Sequence, residues 1–279
     1  MFTNLTNTTK AFLFFAIAFG LTVTVSLLAP LLGESTVFIH MFTPTLAAVI
    51  MMLVVTRDGY SKAGWASLGL HRAGLRWWLL ALLGPLAVMS AVYGIVWNTG
   101  VAQAAFPDSS RLAEMASNVA IGLGISCAVA LGEEIGFRGY LLPRLTQLGT
   151  SQALLLSGLM HAIWHFPLML LTPVYPILGS WLIVGPIILL TLTTAGVFYG
   201  YLQLTSKSVW PSTLAHGTIN LSFGLFAGLT VTTSPLALEY LAGETGVLTL
   251  VATALSAAVV LYSLRQRRGS LAVQLPSGA

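Results

Sequence analysis

Apolar residues run through this chain in stretches of about 20, the length a helix needs to cross the hydrocarbon core of a bilayer. The pattern predicts about eight such helices, at approximately Ala11–Leu32, Thr36–Val55, Trp77–Trp97, Ala116–Leu142, Ser151–Thr172, Gly179–Tyr201, Val209–Val231 and Gly246–Leu264. The first exceeds the apolar core of a signal peptide and has no clear small-residue cleavage site, so it is read as a retained span. Between Asn118 and Leu131 there is no charge, and beyond Arg144 the next charged residue is Lys207. The connection from Arg57 to Arg76 mixes basic residues with Trp65, Leu68 and Leu70 and is expected to lie at the membrane interface. The fold expected is all-α and polytopic, a single transmembrane domain over residues 1–268 with a core region at 116–223. A short polar cytoplasmic tail follows at 269–279.

Composition strengthens this picture. The chain is 56% hydrophobic and 7% charged, against about 25% charged in an ordinary soluble domain. Its mean hydropathy of +0.88 is too high for an apolar core inside a polar shell. With eight spans, Lys10, Arg57, Lys62, Arg72, Arg76, Arg138, Arg144, Lys207 and the cluster at Arg265, Arg267 and Arg268 all fall on one side. Glu34, Asp108, Glu114, Glu239 and Glu244 fall on the other, with Arg111. Basic residues collect on the cytoplasmic face, so both termini are expected there. No nucleic-acid partner is expected; the bilayer itself is the solvent. The single cysteine, Cys127, excludes a disulfide framework and a cysteine-based zinc site.

Against this background the string GEEIGFRG stands out. An acidic side chain at bilayer depth costs roughly 2.5–3.5 kcal/mol on insertion scales, so a buried pair of glutamates points to function. Glu134 and Arg138 are four apart, share a helix face and can pair. Glu133 is turned about 100° away and is expected to stay free as a base. Glu133 and His165 are equally far in sequence from Gly149, the expected turn of a hairpin, so antiparallel helices would set them at similar depth. His161 lies one turn from His165, and this spacing can supply two ligands to one metal. It is not the zinc-protease HExxH signature, because Ala162 stands where the glutamate would be. An interhelical hydrogen bond is the plainer role for His161. His216 and Asn220 form a third set, again four apart. His40 and Pro44 read as packing or a kink, His71 as solvated, and Gly196 and Gly200 as small residues for close helix packing.

Together these groups suit activation of a water against an amide carbonyl. Glu133 takes the proton and later passes it to the leaving amine. His165 and His216 hold the water directly or through a divalent metal such as Zn2+, with Glu133 and His161 as further candidate ligands. The side-chain amide of Asn220 donates to the oxyanion.

The same residues resemble the CAAX-prenyl protease and bacteriocin-processing family of intramembrane proteases, which includes the type II CAAX-prenyl endopeptidases. Its Glu-Glu-x-x-x-Arg motif is matched by Glu133, Glu134 and Arg138, and its His-x-x-x-Asn motif by His216 and Asn220. Its Phe-x-x-x-His motif is matched at His165, with His161 at the aromatic position. Trp164, His165, Phe166 and Pro167 match a Trp-His-x-Pro variant common in bacterial members. The resemblance implies eight helices, the first glutamate as base, a protein or peptide substrate at the membrane, and a bacterial inner membrane as the location. It leaves open the substrate, the metal and the oligomeric state. The competing readings are a non-proteolytic scaffold or bacteriocin-immunity protein, and a proton-coupled transporter. The last is disfavoured because the N-terminal half carries no matching acidic pair.

Overall fold

The computed structural model describes residues 5–273, with side chains through Gln266. Its long helices are α1 (Asn7–Leu27), α2 (Ser35–Ile50), α3 (Trp78–Asn98), α4 (Leu112–Glu134), α5 (Thr150–Leu171), α6 (Trp181–Ser206), α7 (Val209–Gly228) and α8 (Val247–Val273). Two of them run on through wide π turns, α2 over Met51–Val55 and α4 over Ile135–Leu141. A two-residue antiparallel ladder, β1 (Gln103–Ala104) with β2 (Thr230–Val231), is the sheet present among the described residues. The chain is therefore an all-α polytopic membrane protein.

Seven of the eight helices are long and apolar enough to cross a membrane. The exception is α7, whose 20 residues include Ser212, Thr213, His216, Thr218, Asn220 and Ser222. Its polar face is tolerable because the helix packs against α3, α4 and α6, and most of those side chains are buried. Of the expected spans, the first ends earlier than predicted. Pro30 cannot continue α1, so the chain restarts as a separate turn at Ala29–Leu32. The seventh likewise stops at Gly228, and Thr230 and Val231 pair as β2. The last helix runs on through Val273, beyond the expected start of the tail at 269; residues 274–279 lie outside the described residues.

Local chemistry sets the helix starts and turns. Thr6 caps α1 by accepting from the Thr9 amide at 3.1 Å, and Ser208 caps α7 by accepting from the Trp210 amide at 3.2 Å. Gly149, at φ 103°, turns the α4 unit into α5, which is the hairpin the spacing predicts.

Hydrogen bonds sort the connections onto two ends of the bundle. At one end the Arg144 guanidinium donates to Asp58 Oδ2 at 3.3 Å, Trp210 Nε1 to the Leu70 carbonyl at 3.0 Å, and Gln147 to Thr8. The connection 56–77 lies across this end as three short helical turns, at Asp58–Tyr60, Lys62–Ala66 and Leu75–Trp77, with Leu68 buried. At the other end Trp97 Nε1 donates to Thr230 Oγ1 at 3.0 Å, and the Glu239 carboxylate accepts from the Leu178 and Gly179 amides at 2.9 and 2.7 Å. Lys10, Lys62, Arg72, Arg76 and Lys207 belong to the first end, and Glu34, Asp108 and Glu239 to the second, as the charge pattern predicts. Arg138 is a correction: it is fully buried inside the bundle and belongs to neither end.

Between the ends, two apolar clusters flank the centre. One joins Phe14, Ala47, Met51, Phe137, Leu141, Leu154 and Trp164; the other joins Met89, Val92, Tyr199, Leu202, Ala215 and Ile219. Without a hydrophobic drive between helices in lipid, close backbone approach does much of the joining. A Cβ at Gly158 of α5 would stand 2.3 Å from the Thr193 carbonyl oxygen of α6, and one at Gly196 would stand 2.7 Å from the Gly158 Cα. Gly196 and Gly200 thus serve the close packing read from their spacing. Gly158→Ala is expected to destabilise the fold by about 1–3 kcal/mol, since rigid backbone must move. Denaturant titration in detergent measures this, and an unchanged midpoint would contradict the contact.

Candidate active site

The centre of the bundle is built on the junction of α4 with its π turn. Glu133 and Glu134 end the α-helix, and Arg138 sits in the wide turn that follows. π turns inside helices are uncommon and concentrate at functional sites. Here Gly136 lets the turn press on α2, where an added Cβ would stand 2.5 Å from the Pro44 Cβ. All three charged side chains have 0% exposure.

The Arg138 guanidinium organises what surrounds it. Its Nη1 donates to Glu134 Oε1 at 2.9 Å and to His161 Nδ1 at 2.9 Å. Arginine has donors only, so His161 Nδ1 accepts and its Nε2 must carry the ring proton. That Nε2 lies 2.6 Å from Glu133 Oε2 and donates to it. Glu134 Oε1, already paired with Arg138, also accepts from His216 Nδ1 at 2.9 Å. This leaves His216 Nε2 turned toward Glu133 Oε2, 4.0 Å away. His165 donates from Nδ1 to the His161 carbonyl at 3.1 Å, and its bare Nε2 stands 3.8 Å from Glu133 Oε2. Glu133 Oε1 is buried and has no hydrogen-bond partner.

The sequence-predicted residues therefore converge, with two adjustments. Glu134 pairs with Arg138 as expected. Glu133 is only half free, because His161 occupies one of its oxygens. His161 is the link between Arg138 and Glu133, since α5 carries it to the depth of the carboxylate. Asn220 lies one turn beyond His216 and lines an enclosed cavity that it shares with both His161 and His216. His40 stacks on Trp164 at 4.0 Å between centroids and meets Thr22 Oγ1 at 2.5 Å, in keeping with a packing role. Tyr199 is a residue the sequence reading passed over. Its ring stacks on His216 at 5.1 Å and lies 5.3 Å from the Arg138 Cζ. Only its place between Gly196 and Gly200 hinted at a packed surface.

Glu133, His161 and His216 offer ligand atoms that all lie within 4.8 Å of one another, so this group could hold a metal. The hydrogen bonds qualify that capacity. To ligate through Nε2, a neutral His161 would need its proton on Nδ1, where the Arg138 N–H already points. At the acidic end, in the connections outside the spans, Tyr175 donates to the Glu244 carboxylate. Burial pushes both groups above their ordinary pKa values.

Residues 115–222 match the family described as Type II CAAX prenyl endopeptidase Rce1-like. The match covers less than half of the chain and is a likeness to this CAAX-protease family over the helices that carry the site. The matched segment runs from the first turn of α4 to Ser222 in α7 and includes every residue of the constellation just described. No curated protein matches the chain. This likeness to a protease family supports an intramembrane peptidase in general character, acting on a peptide at the membrane.

Removing Arg138 leaves Glu134 buried without its cation. Arg138→Met is therefore expected to cost about 3–5 kcal/mol of stability. Thermal unfolding in detergent reads this directly, and a wild-type midpoint would mean that the pair carries no structural weight.

Proposed function

We propose that the protein is an endopeptidase that hydrolyses a peptide bond within or beside the membrane by a glutamate-activated water. The observation that carries this reading is the uneven use of the two Glu133 oxygens: Oε2 is engaged by His161, while Oε1 is buried without a partner. Oε1 is the basic atom. It takes a proton as the water oxygen attacks the carbonyl carbon. His165 and His216, with Nε2 atoms 3.8 and 4.0 Å from the carboxylate, position that water. Charge develops on the carbonyl oxygen and is met by the Asn220 amide. The C–N bond then breaks and Glu133 returns its proton to the departing amine. Glu134 and Arg138 are positioning residues. They set the tautomers of His216 and His161 and hold them in place.

The hydrogen-bond pattern supports a metal-free mechanism over a zinc site, because the tightest ligand group includes a His161 whose Nε2 proton is dictated by Arg138. A divalent ion held by Glu133, His165 and His216 would polarise the water as a Lewis acid. The side chains perform the proton transfers described above without it. The basic end of the bundle is assigned to the cytoplasm, which places both termini there. The Trp164–Pro167 string favours a bacterial inner membrane.

Comparison of protein termini in membranes carrying wild type or Glu133→Gln tests the reading. Cleavage products are expected to disappear in the variant, with kcat down about 10²–10⁴-fold against the identified peptide and an unchanged unfolding midpoint. Identical terminal profiles from two folded, equally abundant proteins would instead favour the scaffold or immunity reading. The metal question has its own measurement. Activity is expected to survive 1,10-phenanthroline, and stoichiometric zinc whose removal abolishes cleavage would overturn the metal-free assignment.

A further inference from the structure

Hydrolysis consumes one water for each bond cut, yet Glu133, His161, His165 and His216 are residues at most 8% exposed inside the bundle. A nucleophile this far from solvent has to be held nearby. Next to His161, His216 and Asn220 is an enclosed cavity, walled on its other sides by α6 and α8, that admits about one water. Two of its lining residues, Thr191 of α6 and Thr249 of α8, are 2% and 0% exposed, and neither hydroxyl has a hydrogen-bond partner.

Neighbouring threonines show that this is not the ordinary condition of a hydroxyl in these helices. Thr193 donates to the Leu189 carbonyl at 2.6 Å, Thr194 to Leu190 at 2.9 Å, and Thr253 to Thr249 at 3.0 Å. Such bonds to the preceding turn are the usual resort of a threonine in an apolar helix. Thr191 and Thr249 forgo them while lining the cavity that His216 also lines. A buried hydroxyl left unpaired is costly, and a buried water is stable when two to four polar groups hold it.

We propose that this cavity is a water-holding site, and that Thr191 and Thr249 retain the molecule that becomes the nucleophile at Glu133. Two threonine hydroxyls and the Asn220 amide supply donors and acceptors for it, and His161 and His216, which also line the cavity, lie 2.6 and 4.0 Å from Glu133 Oε2. The role in supply rests on the peptidase reading; the hydration of the cavity does not.

Two measurements on full-length protein in lipid nanodiscs separate these parts. Radiolytic labelling in ¹⁸O-water marks side chains beside trapped water. It is expected to modify Ile219 and Phe223 in wild type, and much less in Thr191→Val/Thr249→Val. Against the peptide substrate, the double valine variant is expected to lose about tenfold in kcat with KM unchanged, while Thr191→Ser/Thr249→Ser keeps both. Thr193→Val, which removes a hydroxyl bonded to its own helix, should leave kcat at the wild-type level. An unlabelled cavity in wild type would overturn the proposal, as would a double valine variant with wild-type kcat. Loss of KM and kcat together with the unfolding midpoint would point to packing and also count against it. A labelled cavity in a protein that cleaves nothing would sink the peptidase reading, and the supply role with it, while leaving the hydration site intact.

Discussion

The buried guanidinium of Arg138 is the interaction on which the centre of this molecule depends. A cation at this depth persists only with partners, and it takes two through a single nitrogen, Glu134 and His161. Each partnership removes an ambiguity. The first keeps one glutamate in an ion pair and so distinguishes it from its neighbour. The second dictates which nitrogen of His161 carries a proton, and through it which oxygen of Glu133 is engaged. Glu134 then passes the same order to His216. One charge thus specifies the hydrogen-bonding roles of four side chains drawn from three helices.

That arrangement needs helices closer together than ordinary side chains permit. Gly196 leaves room both for the Gly158 backbone and for the guanidinium, since a Cβ there would lie 3.0 Å from the Arg138 Nη2. Gly217 does the same between α7 and α4, where a Cβ would stand 2.6 Å from the Cys127 Sγ. The π turn after Glu134 completes the fit by letting α4 pass Pro44 and the connection at Leu68 without a break. The small residues and the charged cluster are two halves of one solution. In lipid the helices gain little from burying apolar faces against each other, so close packing and satisfied polar groups must hold them.

The family match covers the four helices that contribute this cluster, and the physical picture explains why the segment behaves as a unit. α4, α5, α6 and α7 exchange hydrogen bonds, glycine contacts and ring stacking at one depth. The remaining helices enclose this group. α1 and α2 pack Phe14, Ala47 and Met51 against the π turn, while α3 supports α7 and α8 closes the cavity with Thr249 and Thr253.

Much of this was legible in the chain itself. Runs of about 20 apolar residues leave a backbone in lipid no alternative but helix, and charge asymmetry separated the two ends. The i, i+4 spacing paired Glu134 with Arg138, and the symmetry about Gly149 set Glu133 beside the α5 histidines. These follow from helical periodicity and from the cost of burying charge, which act within one helix or one hairpin. What periodicity does not carry is rotation about each axis and the approach of distant helices. Only the tertiary structure decided that His161 joins Arg138 to Glu133, that Tyr199 stacks on His216, and that Thr191 meets Thr249 across a cavity. Those contacts arise from close packing between segments up to 82 residues apart, as with Glu134 and His216, where no local pattern records which faces meet.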